Sequence, residues 1–194
     1  MNHADGLPVL EFADAPAWRG WLERNHDSAV GVWIAIAKKG TDVESVRYPE
    51  VLEEAICFGW IDGRRERHDG GRFLQRFTPR RARSPWSRMN REKAEALIEL
   101  ALMAPAGLAE VERARGDGRW ERAYAPQSAA VVPADLQREL DASPAAAAAF
   151  AGLSSQNRYS ILYRLDQARR ESTRAARLER FVAMLEAGET IHPQ

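Results

Sequence analysis

One strand–turn–strand pattern constrains the fold of this chain more than any other feature. The segments Trp60–Arg67 and Arg72–Phe77 flank the loop His68–Gly71, and a four-residue loop with two glycines suits a β-hairpin. Side chains alternate between the two faces of a strand. Phe73, Gln75 and Phe77 therefore share one face of the second strand, and Arg72, Leu74 and Arg76 share the other.

The rest of the chain adds one strand and many helices to the hairpin. The β-branched and aromatic run at Val30–Ala37 predicts a buried strand, and apolar residues at three- and four-residue spacing elsewhere predict helices. The predicted helices cover residues 15–24, 48–58, 90–103, 105–116, 133–141, 144–151, 154–170 and 172–187. This order predicts an α+β fold, in which a small antiparallel sheet with a β-hairpin is covered by helices and followed by a helical C-terminal lobe. We place the domain boundary between residues 126 and 127.

The cysteine and histidine content favours a reducing compartment and no bound metal. Cys57 is the one cysteine of the chain, which excludes an internal disulfide and favours the cytoplasm. The four histidines show no metal-ligand spacing, so we predict no metal site and no cofactor. The N-terminus lacks the pattern of a secretory signal, and the apolar run at Ala29–Ala37 is too short to span a bilayer, so we expect no membrane association.

Charge is unevenly distributed along a chain of zero net charge. Residues 64–93 contain 11 basic and 3 acidic side chains, a net charge of +8. Such a segment could meet phosphate or another anion. A second explanation is genome composition, because 25 of the 28 basic residues are arginine.

Several sequence blocks resemble one known family. They are Val32-Trp33 with Lys38-Lys39-Gly40, Tyr48–Ala55, Cys57–Gly63, Thr78–Arg81, Ser84–Asn90, Met103–Gly107, Asp117–Trp120, Pro133–Leu136 and Ala168–Arg177. On these blocks the chain resembles the YdeI/OmpD-associated family, also labelled bacteriocin-protection proteins. The resemblance covers nearly the whole chain and implies an association with stress or bacteriocin tolerance. It brings no catalytic set that could be transferred residue by residue.

The basic segment and the helix start after it suggest a ligand site. Arg80 could bind carboxylate or phosphate through its planar fork. Ser84-Pro85 predicts a helix start, whose backbone N–H groups would face the same anion, and Lys38 could join from a strand end. A solvated surface or simple helix capping would explain the same residues. The predicted ligand-binding set is Lys38, Trp60, Asp62, Arg80, Ser84, Trp86, Ser87 and Asn90.

Three residue types in this region allow further interpretations. Asp62 lies on the same strand face as Trp60, and a carboxylate desolvated by an indole could act as a general base. Alternatively, Asp62 has a structural role and accepts a hydrogen bond from an arginine such as Arg80, or caps the turn at Gly63. The tryptophans suit either a pocket or the core. Cys57 ends an apolar helix face, which favours a buried thiol.

These sequence features are compatible with three functions. The first is a non-catalytic cytoplasmic protein that binds a small anionic or polar ligand. The second is a nucleic-acid-binding protein that uses the basic and aromatic hairpin segment 64–93. The third is a hydrolase or transferase with Asp62 as general base, although the sequence supplies no partner residues for it. The amphipathic last helices could also form a homodimer interface.

Overall fold

The computed structural model describes residues 3–194 and confirms the predicted α+β fold. The chain divides into two compact units, the first ending at Ala123 and the second covering Tyr124–Gln194. Within the described residues, the first unit holds a four-stranded sheet and four α-helices, and the second unit holds four further α-helices.

The elements follow the predicted order with small shifts at their ends. In the first unit they are β1 (Val9–Leu10), α1 (Ala15–Asn25), β2 (Val32–Ala37), α2 (Tyr48–Cys57), β3 (Trp60–Arg67), β4 (Arg72–Pro79), α3 (Arg88–Glu99) and α4 (Pro105–Gly116). In the second unit they are a 3-10 turn (Gln127–Ala129), α5 (Ala134–Ala142), α6 (Pro144–Gly152), α7 (Ser155–Asp166) and α8 (Glu171–Glu186).

The sheet is mixed, because a short first strand joins the predicted antiparallel ones. The strand order is β1-β2-β4-β3, with β1 parallel to β2 and the other pairs antiparallel. Strand β1 has two residues, which is too short to show a period in the sequence. The β3–β4 hairpin forms as predicted, with its turn over residues 68–71 and an irregularity between Asp62 and Arg65.

One face of the sheet, the inner face, packs against helices. Phe73, Gln75 and Phe77 share this face as predicted, because each pairs with an inward residue of β2. Phe77 is fully buried and lies 6.1 Å from the ring of Trp18 on α1. Asp14 caps α1 by accepting the N–H of Ala17 at 2.9 Å, which places Trp18 over the sheet.

The opposite face, the outer face, is covered by the N-terminal segment. Trp33 is fully buried there and donates its indole N–H to Asp5 at 3.1 Å. His3 lies against the same indole at 4.3 Å between ring centroids, and its Nε2 lies 3.0 Å from Glu66. Arg76 approaches Asp5 at 3.5 Å, so polar side chains surround the indole on this face.

The Ser84-Pro85 pattern does not start a helix, and α3 begins at Arg88, near the predicted start at residue 90. Ser87 is the N-cap of α3 and accepts the N–H of Asn90 at 3.1 Å. Ser84 instead accepts the N–H of Arg81 at 3.0 Å, while its carbonyl accepts a hydrogen bond from Arg119 at 2.8 Å. These contacts hold Ser84 in a turn outside the helix, and Ser87 is the residue that caps α3.

The second unit has its own apolar core. Leu136, Ile161 and Leu165 are fully buried in it. Arg174 of α8 donates two hydrogen bonds to Asp135 of α5, at 2.6 and 2.8 Å. Such a bidentate pair fixes the two helices in orientation as well as distance.

Candidate functional site

The predicted ligand-binding residues lie at opposite ends of the hairpin. The turn end is the loop at residues 68–71 with the residues beside it, and the base end is formed by residues 59–60 and 79–80. Lys38 lies at the turn end, where its Nζ donates to the carbonyl of Asp69 at 2.7 Å. The base end and the loop and helix start that follow it hold Trp60, Arg80, Ser84, Trp86, Ser87 and Asn90. Strand β4 has eight residues, so the two ends are roughly 24 Å apart at about 3.4 Å per residue, too far for one small ligand.

Arg80 and Trp86 form a buried stack at the base end. The guanidinium carbon of Arg80 lies 3.6 Å from the centroid of the Trp86 ring, and Trp86 meets Trp120 in a T-shaped contact at 4.9 Å. Arg80 also donates to the carbonyl of Pro85 at 3.2 Å. Arg80 is 5% exposed and Trp86 is 1% exposed, so this stack belongs to the core and its guanidinium face is occupied by the indole.

The other predicted residues near the base end make local or core contacts. Ser84 and Ser87 accept backbone hydrogen bonds, as described above, and Asn90 is buried on the first turn of α3. Trp60 is 1% exposed and donates its indole N–H to the carbonyl of His26 at 3.2 Å. Their part in ligand binding stays a prediction.

Asp62 forms a hydrogen-bonded pair with a residue that the sequence analysis did not select. The hydroxyl of Tyr48, at the start of α2, donates to Oδ2 of Asp62 at 2.8 Å. Burial, and then the neighbouring Asp62 carboxylate, raise the pKa of the Tyr48 phenol above its ordinary value. The phenol therefore stays protonated near neutral pH and keeps donating to Asp62. The sequence signal for this pair was weak, since Tyr48 and Asp62 are 14 positions apart and lie on different elements.

A cavity opens at the turn end of the hairpin. Its volume is about 220 Å³, and we call it the Arg72 cavity. The walls come from the β1–α1 connection, strand β2, the loop before α2 and the first residue of β4. They are formed by Glu11, Phe12, Ala13, Ala35, Glu44, Ser45 and Arg72.

The guanidinium of Arg72 has unused binding capacity in this cavity. Its Nη2 lies 3.2 Å from Oε2 of Glu11, and its Nη1 lies 3.9 Å from Oδ2 of Asp69. Its Nε is buried and has no hydrogen-bond partner within residues 3–194. A buried donor without a partner costs free energy. The terminal Nη1, whose carboxylate neighbour Asp69 is 3.9 Å away, could donate to an anion in the cavity.

The hairpin turn fixes the backbone of Arg72. The side chain of Asp69 accepts the backbone N–H groups of Gly71 at 2.8 Å and Arg72 at 2.7 Å. These two hydrogen bonds lower the pKa of the Asp69 carboxyl below its ordinary value. Lys38 holds the same turn through the carbonyls of Asp69 and Gly70. The arginine is therefore presented from an ordered turn.

Arg72 could have been found in the sequence, but no signal separated it from its neighbours. It lies in the basic segment 64–93 and alternates with Leu74 and Arg76 on the outer face. Its selection depends on Glu11, Phe12 and Glu44, which are far away in sequence. No single motif contains these residues.

The aromatic residues of the hairpin bear on the nucleic-acid alternative. Phe73, Phe77 and Trp86 are all buried, whereas base stacking requires an accessible ring face. Exposed arginines on β3, such as Arg65 and Arg67, would have to bind such a ligand through its phosphates. The nucleic-acid function stays a prediction, and so does a general-base role for Asp62.

The remaining predictions concern metal, thiol and membrane chemistry. Across residues 3–194, no group of three or more histidine, cysteine, aspartate or glutamate side chains is arranged to hold a metal ion. Cys57 is buried, and burial, followed by the charge of Glu54, raises the pKa of its thiol to about 11. A helix that could cross a bilayer does not occur in the described part of the chain.

Comparison with protein families gives two matches. Residues 10–110 match a family described as Domain of unknown function (DUF8412). Residues 129–188 match a family described as Bacteriocin-protection, YdeI or OmpD-Associated. No curated protein and no solved structure matches the chain. The first match covers more than half of the chain and contains every wall residue of the Arg72 cavity, and the second spans helices α5 to α8.

Proposed function

Because the chain belongs to the bacteriocin-protection, YdeI or OmpD-associated family and carries the domain of unknown function (DUF8412), we propose that it is a non-catalytic binding protein. Its ligand is a small polar molecule with an anionic group, held in the Arg72 cavity. We further propose that it acts in the cytoplasm and in stress or bacteriocin tolerance; of these, the description of the second family names bacteriocin protection.

The observation that carries this proposal is the guanidinium of Arg72 in the wall of an open cavity, where its carboxylate neighbours are Glu11 at 3.2 Å and Asp69 at 3.9 Å. Buried guanidinium nitrogens without a hydrogen-bond partner within residues 3–194 also occur at Arg76, Arg91 and Arg119, so the cavity beside Arg72 is what sets it apart from them. Arg72 meets Glu11, which is more than half exposed, and exposed ion pairs contribute little to stability. An anionic ligand can therefore compete for this guanidinium.

The cavity also limits the size of the ligand. The volume of the cavity is about 220 Å³. Drug-sized ligands occupy pockets of about 300–1,000 Å³. The part of the ligand that lies between these walls is therefore compact.

A thermal-shift screen of small anions tests the proposal. The panel contains acetate, propionate, inorganic phosphate and sulfate, together with small amino acids. We expect at least one of them to raise the melting temperature of the wild-type protein in a concentration-dependent way. Arg72→Gln should remove the shift, whereas Arg83→Gln, at an exposed position outside the cavity, should keep it. A shift that persists in Arg72→Gln would overturn the proposed site.

A further inference from the structure

The charges around the Arg72 cavity have both signs, and this points to the chemical class of the ligand. Glu11 and Glu44 contribute carboxylates to the same walls as the Arg72 guanidinium. A ligand that carried only negative charge would meet both carboxylates and be repelled by them. We infer, resting on the proposed function above, that the cavity binds a small zwitterion with one carboxylate and one ammonium group, as in a free amino acid.

The two carboxylates of the cavity differ in how they are used. Glu11 already pairs with Nη2 of Arg72 at 3.2 Å. Glu44 makes no hydrogen bond or ion pair within residues 3–194. An ammonium group in the cavity would therefore pair with Glu44, while the ligand carboxylate accepts from the terminal nitrogen Nη1 of Arg72.

The other walls set the remaining part of the ligand. The hydroxyl of Ser45 already makes two hydrogen bonds within the protein. It donates to the carbonyl of Val46 at 3.0 Å and accepts the N–H of Ala37 at 3.3 Å. Phe12 and Ala35 supply apolar surface. This combination suits a short side chain without strong hydrogen-bonding groups, on an amino acid as small as alanine or valine.

Isothermal titration with matched ligands tests the charge requirement on the full chain. The ligands are alanine, propionate, which lacks the ammonium group, and alaninamide, which lacks the carboxylate. We expect alanine to bind at least tenfold more tightly than either of the other two. Arg72→Gln should weaken alanine binding at least tenfold.

The variant Glu44→Gln separates this inference from the proposed function. It should weaken alanine binding at least tenfold and leave propionate binding unchanged or improved. Glu99→Gln, at an exposed position on α3, is the matched control and should leave both affinities unchanged.

Three other results would overturn the inference. Propionate or inorganic phosphate binding as tightly as alanine, with dependence on Arg72 and none on Glu44, would refute the zwitterion while the proposed function stands. Binding of alanine that is insensitive to Glu44→Gln would also refute it. Absence of binding by every probe of both panels would refute the inference and the proposed function together.

Discussion

The two ends of the β3–β4 hairpin use the same residue type in opposite ways. At the base end, Arg80 is 5% exposed and stacks on Trp86 at 3.6 Å. At the turn end, Arg72 borders a cavity and pairs with the exposed carboxylate of Glu11 at 3.2 Å. An arginine-rich sequence therefore does not identify an anion site, because the surroundings of each guanidinium decide whether it can bind anything.

The contrast also explains how one hairpin can be rigid and still present a site. The base end is joined to the core by aromatic packing, which stabilises the fold through burial. The turn end is held by hydrogen bonds from Asp69 and Lys38, which fix its geometry with little burial. Substitutions at the base end should therefore affect stability, and those at the turn end should affect binding.

The largest effect is expected from removing the indole at the base end. Trp86→Ala should lower the free energy of unfolding by about 3–5 kcal/mol, since a fully buried aromatic ring is replaced by a cavity. Chemical denaturation monitored by circular dichroism measures this change. A loss below about 1 kcal/mol would show that the base end is not a core element.

A conservative variant provides the control for that experiment. The indole Nε1 of Trp86 is buried and has no hydrogen-bond partner among residues 3–194. Trp86→Phe deletes this N–H while keeping a ring against Arg80 and Trp120. It should therefore cost clearly less than Trp86→Ala, and a ligand that binds the Arg72 cavity should bind both variants as it binds the wild type while they remain folded.

Matched arginine substitutions at the two ends sharpen the comparison. Arg80→Met should lower the free energy of unfolding by about 2 kcal/mol, because it removes a desolvated cation–π contact and a buried hydrogen bond. Arg72→Met should change it by less than about 0.5 kcal/mol, since only exposed or long ion pairs are lost. Denaturation curves and titration with the ligand found in the screen measure both properties. Loss of binding in Arg80→Met with unchanged stability would show that the ligand site lies at the base end of the hairpin.

Much of the fold was predictable because its signals are local. The hairpin turn and the shared face of Phe73, Gln75 and Phe77 follow from residues close in sequence. The parallel strand β1 was missed because two residues show no period. The helix start predicted at Ser84-Pro85 does not form, since Ser84 is held in a turn and its carbonyl accepts from Arg119, whereas α3 begins at Arg88, close to the predicted residue 90.

The site was less predictable because it depends on contacts between distant segments. Residue types alone suggested Arg80 and Trp86, and both turn out to be buried. The cavity joins Glu11, Glu44 and Arg72 through the sheet and the loop before α2. The pairing of Tyr48 with Asp62 arises in the same way, from two elements that only the folded chain brings together.

The smallest expected effect concerns the protonation of Asp69 at the turn end. The backbone N–H groups of Gly71 and Arg72 lower the pKa of this carboxyl below 3.8. Since the folded pKa lies below the unfolded value of about 3.9, the contribution of Asp69 to stability is present above that value and is lost as the pH falls through the folded pKa. A carboxyl-carbon NMR titration, with Asp69→Asn to assign the signal, measures the midpoint. A midpoint at or above 3.8 would show that the turn does not hold Arg72 through this carboxylate. The turn end would then lose the order that distinguishes it from a flexible loop, and the cavity would lose its preformed guanidinium.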